Sequence, residues 1–250
     1  MPTAETLTVQ NTFTLATGAA LELDVSNATL HDKLITGGAF NAAGTLRVLL
    51  DSGASTPALG DSFDLFDSAG GSINFASFDL PALPAGLKWN TGSISSGVLS
   101  VVIDPGTYAG WALGHAFPPG ADAPAFDADD DTVANAFEWL FGSNPLVSDP
   151  RFQPTPTAST VSAVEYPAAN PAKHYLTMTA TLLKSHPGMT LVPQANGSLE
   201  LLDSPASAGF VTSVQVNDLG DFEERTWIYT EAIEDTPSGH GFMRLKLIPE

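Results

Sequence analysis

Cysteine is absent from this sequence of 250 residues, which excludes disulfides, thiolate metal sites and cysteine nucleophiles together and leaves stability to packing. Basic residues are nearly as scarce: nine Lys and Arg stand against 28 Asp and Glu, a formal charge of −19. A field of that sign repels phosphate backbones and anionic bilayer surfaces, so nucleic acid is not an expected partner and divalent cations are favoured ligands. No run of about 18 apolar residues is present, so no helix is expected to insert in a membrane. Met1 to Gln10 has no basic region followed by an apolar one and is not expected to act as a signal peptide.

Catalytic signatures are missing as well. His31, His115, His174, His186 and His240 never fall in H-E-x-x-H or at another metal-ligand spacing, and no nucleophile elbow, P-loop or dinucleotide fingerprint occurs. The acids are numerous enough to form spatial pairs, yet no pair is singled out for glycoside hydrolysis. The chain is therefore expected not to be an enzyme.

What is abundant is turn chemistry. With 22 Gly, 19 Pro, 43% hydrophobic and only 15% charged residues, the composition suits short strands joined by many turns. Residues 1–104 carry β-type runs at Thr12 to Leu15, Leu21 to Val25, Leu46 to Leu50, Ser62 to Phe66 and Val98 to Ile103, punctuated by turns such as Asn41-Ala42-Ala43-Gly44 and Ala69-Gly70-Gly71. Stacked β-helix rungs or a β-sandwich are the two expected outcomes. Residues 105–150 form a connector: a short aromatic helix within Tyr108 to Phe117, an acidic loop, and the strongest helix signal of the chain from Thr132 to Phe141, stopped by Gly142. Residues 151–250 return to strands, at Tyr175 to Leu182, Phe210 to Val216, Thr226 to Thr230 and Phe242 to Ile248, and predict a small antiparallel β-sandwich. Arg244 and Lys246 alternate in the last run, marking one wet face. The fold class is thus mostly β with a short helical connector.

The connector holds the one motif with chemistry in it. Asp127, Asp129, Asp131, Asn135 and Glu138 occupy positions one, three, five, nine and twelve of an EF-hand-type loop, with the Val133 carbonyl at position seven. A hard cation needs six or more oxygens, and alternate residues of a tight loop converge while a Glu one helical turn in closes the shell. Calcium is the expected ion. Thr132 occupies the sixth position, where a left-handed glycine is usual, and weakens that expectation by about 1 to 2 kcal/mol. The bland alternative is a solvated acidic helix start with Asp130 or Asp131 as its cap.

Trp89, Trp111, Trp139 and Trp227 would stack on sugars if exposed, although a packing role is commoner for tryptophans so placed. Asn27-Ala28-Thr29 and Asn196-Gly197-Ser198 match the glycosylation tripeptide, a pattern that arises often by chance.

Several blocks together resemble a known family. Leu34 to Gly38, Gly44 to Val48, Gly60 to Phe66, Leu83 to Trp89 and Gly97 to Val102 look like the closing rungs of bacterial autotransporter-associated β-strand repeat proteins, which are large secreted right-handed β-helices. Tyr108 to Trp111 and the stretch Asp127 to Pro145 are similar to the acidic connector that follows such rungs, and Gly241 to Lys246 resembles the final strand of a terminal sandwich. Thr132 departs from the family's glycine, and Trp139 stands where Tyr is frequent. The resemblance implies a C-terminal region of an extracellular or cell-surface structural protein of a bacterium, with self-association or other surface proteins as partners and no catalytic residues. An accessory module that binds glycans for a polysaccharide-active protein is the alternative expectation.

Overall fold

The computed structural model describes residues 4–149 and 154–249. The protein is mostly β and divides into two compact units, Met1–Pro105 and Gly106–Glu250.

The first unit is a three-rung parallel stack. One rung is β1 (Thr6–Val9), β2 (Phe13–Leu15) and β3 (Ala20–Asn27), to which β4 (Leu30–His31) adds an antiparallel flap. The next rung is β5 (Lys33–Thr36), β6 (Phe40–Ala42) and β7 (Thr45–Leu50). The third continues, after β8 (Ser62–Asp64), through β9 (Phe66–Ser68), a single bridge at Ile73, and β10 (Ser77–Asp79). Parallel pairing in register makes three sheets along the stack: β1 with β5 and β9, β2 with β6, and β3 with β7 and β10. Parallel strands formed by successive coils are what stacked rungs predict, and a sandwich is not formed here. An antiparallel sheet of β11 (Leu87–Asn90), β12 (Val98–Ile103) and β8 closes the third rung, with Leu65 N–H bonded to the Gly97 carbonyl at 2.8 Å.

Side chains repeat from rung to rung because register places like over like. Inside, Leu21 lies beside Leu46, Leu23 beside Val48, and Leu34 beside Phe66, all buried, while Phe40 meets Phe13 at a tilt and Phe66 edge to face, at 5.5 and 5.2 Å between centroids. Outside, Arg47 lies between Glu22 and Asp79 in register, and the Thr45 and Ser77 hydroxyls bond at 2.7 Å. Strand alternation supplies both faces: β3 reads exposed, buried, exposed, buried along most of its length.

The second unit begins with α1 (Tyr108–Leu113) and α2 (Asn135–Phe141). A four-stranded antiparallel sheet follows, ordered β13 (Thr157–Thr160), β14 (His174–Leu183), β17 (Phe222–Tyr229), β16 (Val211–Leu219), and it faces a two-stranded sheet of β15 (Met189–Asn196) and β18 (Phe242–Pro249). Leu176, Met178, Ala180 and Leu182 of β14 share one core with Trp227 and Tyr229 of β17, Ala195 of β15 and Met243 of β18, which is the sandwich expected from the strand pattern. Leu140 and Phe141 of α2 join that same core, so the segment read as a connector packs as part of this unit. Pro193 sits inside β15, tolerated because that strand has a partner on one side only. On β18 Arg244 donates to Gln194 at 2.9 Å and pairs with Asp203, the wet face opposite Met243.

Close rung stacking leaves no room at Gly44, where an added Cβ would lie 2.1 Å from the Ala19 carbonyl oxygen. Gly18, at φ +84°, faces open space, so Gly18→Ala costs only the left-handed backbone penalty of about 1 to 2 kcal/mol. Gly44→Ala is expected to lower the urea midpoint more than Gly18→Ala; equal effects would show that the rungs are not in close contact at Gly44.

Candidate metal centre

The loop that leads into α2 is built from its own carboxylates. Thr132 N–H donates to Asp127 Oδ2 at 2.7 Å, Asp131 N–H to Asp127 Oδ1 at 3.1 Å, and Val133 N–H to Asp131 Oδ1 at 2.8 Å. Asp149 N–H reaches back to Asp131 Oδ2 at 2.8 Å, a contribution from outside the motif that the sequence spacing does not reveal. Two non-glycine residues take positive φ here, Asp130 at 60° and Thr132 at 77°. Thr132 therefore adopts the left-handed turn that glycine usually supplies at this position, and the loop carries the strain.

α2 starts three residues later than the sequence suggests, because Ala134 is still extended. Neither Asp130 nor Asp131 caps it. Ala134 is the N-cap and makes no side-chain cap bond; the first amides go to loop carbonyls, Asn135 N–H to Phe126 O at 2.7 Å and Ala136 N–H to Pro124 O at 3.0 Å. Gly142 ends the helix at φ 75°, as expected of a left-handed stop.

One carboxylate oxygen from each of Asp127, Asp129 and Asp131 lies within 4.8 Å of the other two, and this group could hold a metal ion. Repulsion between such charges is on the order of 3 kcal/mol per pair at an effective dielectric of about 20. Glu138 lies close enough to feel all three, yet it is 1% exposed. Burial first, and then the charges of Asp129, Asp131 and Asp127, push its carboxyl from the ordinary 4.5 up to about 7. Burial and the neighbouring acids also raise Asp129.

Three oxygens assigned to this loop by spacing are buried without a hydrogen-bond partner: Asp129 Oδ2, Asn135 Oδ1 and Glu138 Oε2. Unpartnered buried acceptors are rare because each costs about 1 to 3 kcal/mol, and a cation supplies what they lack. The donors are all oxygen, the set chosen by hard cations rather than zinc or copper. Residues here thus fit an ion of that class. Asn135 also anchors the preceding loop, since its Nδ2 donates to the Ala121 and Ala123 carbonyls at 2.7 and 3.0 Å. Val133 is buried and its N–H is engaged by Asp131, so its place in the ligand set rests on spacing. Tyr108 packs beside this region, edge to face on Trp139 at 5.9 Å, with its hydroxyl donating to the Asp122 carbonyl.

The other residues singled out by type lie elsewhere. His115 stacks on Trp111, His174 pairs with Glu234, and His186 and His240 meet backbone carbonyls. Among the four tryptophans, Trp139 and Trp227 are buried, Trp111 packs on Tyr108, and Trp89 is half-buried against Phe63 with its Nε1 donating to the Pro81 carbonyl. None of the four is an open sugar platform. Asn196, in one glycosylation tripeptide, already donates to Ser207 Oγ at 3.2 Å.

No protein-family profile, curated protein or solved structure matches the chain.

Removing the left-handed strain with Thr132→Gly is expected to tighten calcium binding about tenfold by calorimetry, while Asp129→Ala abolishes the binding heat. In the cation-free protein the folded state holds the Glu138 proton that the unfolded chain releases above pH 4.5. The Glu138 contribution to stability is therefore complete below about 4.5 and is lost as pH rises through about 7, a change of roughly 3 kcal/mol. Urea midpoints in chelator should fall across that range for the wild type and stay flatter for Glu138→Gln; parallel profiles would contradict the assignment.

Proposed function

We propose that this chain is a non-catalytic structural module of an extracellular or cell-surface protein, braced by calcium at the loop from Asp127 to Glu138. The observation that carries the reading is the buried, unpartnered oxygen set of Asp129, Asn135 and Glu138 beside three converging aspartates. Calcium fits better than magnesium because the loop offers many protein oxygens in irregular positions, whereas magnesium demands near-octahedral geometry and keeps its waters.

Strain at Thr132 bears on location. Extracellular calcium modules work with dissociation constants near 10⁻⁴ to 10⁻³ M, a weak regime suited to a loop that gives up about 1 to 2 kcal/mol in its turn. Such a site fills where calcium is plentiful. The repeat-protein resemblance of the rungs and the acidic composition agree with a surface role.

Strand edges supply the means of association. β1 and β16 are edge strands, and β16 exposes Val216 and Leu219, at 52% and 54%, along nine residues. Open edges of that kind pair with other chains unless charge or cover prevents it. Self-association or docking of another surface protein is the partner reading.

Chelator is expected to lower the melting temperature of the protein by several degrees, and calcium to restore it where magnesium at equal concentration does not. An unchanged melt would overturn the brace. Light scattering in calcium should report species larger than the monomer, reduced by Val216→Lys; a monomer at all concentrations would remove the assembly half of the proposal.

A further inference from the structure

The sandwich interior is not apolar along its whole length. On β17, alternate residues Glu223, Arg225, Trp227 and Tyr229 share one face, and Trp227 and Tyr229 belong to the inter-sheet core. Their opposite numbers on β14, Leu182, Ala180 and Met178, are all core residues. Continuing that alternation should place apolar side chains at 223 and 225 as well. A carboxylate and a guanidinium stand there instead, where the general rule for a sandwich would put Val, Leu or Ile.

These two side chains line a cleft of about 450 Å³, bounded by Leu182 on β14, the turn from Lys184 to Pro187, Met189, Thr190 and Leu191 of β15, and Trp227 on β17. That volume lies within the range of small-molecule sites. Glu223 is only 12% exposed in its side chain and pairs with Arg225 Nη2 at 2.5 Å. Arg225 Nε is buried and has no hydrogen-bond partner. Lys184 joins from the turn, held by Asp218 at 2.5 Å, and His186 spends Nδ1 on the Met189 carbonyl at 2.7 Å, leaving Nε2 free of that bond. His186 therefore carries its proton on Nδ1 when neutral, and Nε2 is an acceptor.

Charge decides what would enter. Both cations of the cleft are already matched, Arg225 by Glu223 in the lining and Lys184 by Asp218 beside it, inside a chain of −19. An anionic ligand would have to compete with Glu223 and Asp218 for these cations. A neutral polyol suits the site better, because each hydroxyl accepts one bond and donates another, and Arg225 beside Glu223 offers a donor and an acceptor side by side. Trp227, buried in the core, contributes only an edge to the lining, so the recognition rests on the Arg225 and Glu223 pair.

We infer that the cleft between the sheets, at Arg225, Glu223 and Trp227, is a binding site for a neutral saccharide, one hydroxyl accepting from Arg225 while the same or a neighbouring hydroxyl donates to Glu223. This site is separate from the acidic loop and needs no cation. It places the sugar inside the sandwich mouth rather than on an open aromatic platform.

The test is tryptophan fluorescence and proton–nitrogen chemical-shift titration of the whole chain with glucose, galactose, mannose, xylose, cellobiose and glucuronate, in chelator and in calcium. At least one neutral sugar is expected to saturate, with shifts confined to residues 182–191 and 223–227 and independent of calcium. Arg225→Met and the isosteric Glu223→Gln should each weaken it by about tenfold or more, with folding checked by the unchanged spectrum of the remaining residues. Should Arg225→Met fail to fold, Glu223→Gln and the wild-type titration still decide. Saturation by glucuronate alone would overturn the neutral assignment, and no saturation by any sugar would mean that water alone fills the cleft and would overturn the site. Loss of calcium binding with sugar binding intact would separate this inference from the structural role proposed above.

Discussion

Carboxylates held close together in a partly dry loop are the constraint around which the second unit is organised. Asp127, Asp129 and Asp131 are drawn together by backbone amides that they themselves accept, and Glu138 is buried behind them on α2. Repulsion among these groups opposes the fold, while the packing of Leu140 and Phe141 into the sandwich core demands that α2 sit where it does. Helix and loop cannot both relax. A proton on Glu138 or a cation among the oxygens would each relieve the charge, and burial beside the three aspartates raises the proton affinity of Glu138.

The two units solve the problem of burying short strands in different ways. In the first, each rung is too small to have a core of its own, and stability comes from like residues stacked in register, Leu21 on Leu46 and Phe13 on Phe40. In the second, two sheets face each other and alternation along each strand divides core from solvent. A single composition, poor in charge and rich in Gly and Pro, serves both because both need many turns and few helices.

Much of this organisation is legible in the residues alone. Alternating runs locate β3, β7, β12, β14 and β18, and Gly142 marks the end of α2. Spacing nominates Asp127, Asp129 and Asp131, which the fold brings together. Other features are hidden for identifiable reasons. Parallel and antiparallel pairing leave the same local pattern, so only the register of β1, β5 and β9 separates rungs from a sandwich. Pro193 disguises β15, and Thr132 with Ala134 delays α2 beyond where its apolar periodicity begins. The inward placement of Glu223 and Arg225 escapes notice because the strand pattern is plain only from Thr226 onward; a period-two reading carried back from Trp227 and Tyr229 reaches them.

The outer ladder of Glu22, Arg47 and Asp79 has acid at both ends. Arg47 is the one cation of that ladder, so its loss would strip both acids of their partner at once, whereas loss of either acid leaves the guanidinium the other. All three side chains are partly exposed, so salt weakens both pairs, and the ladder sets which rung lies over which more than it adds stability.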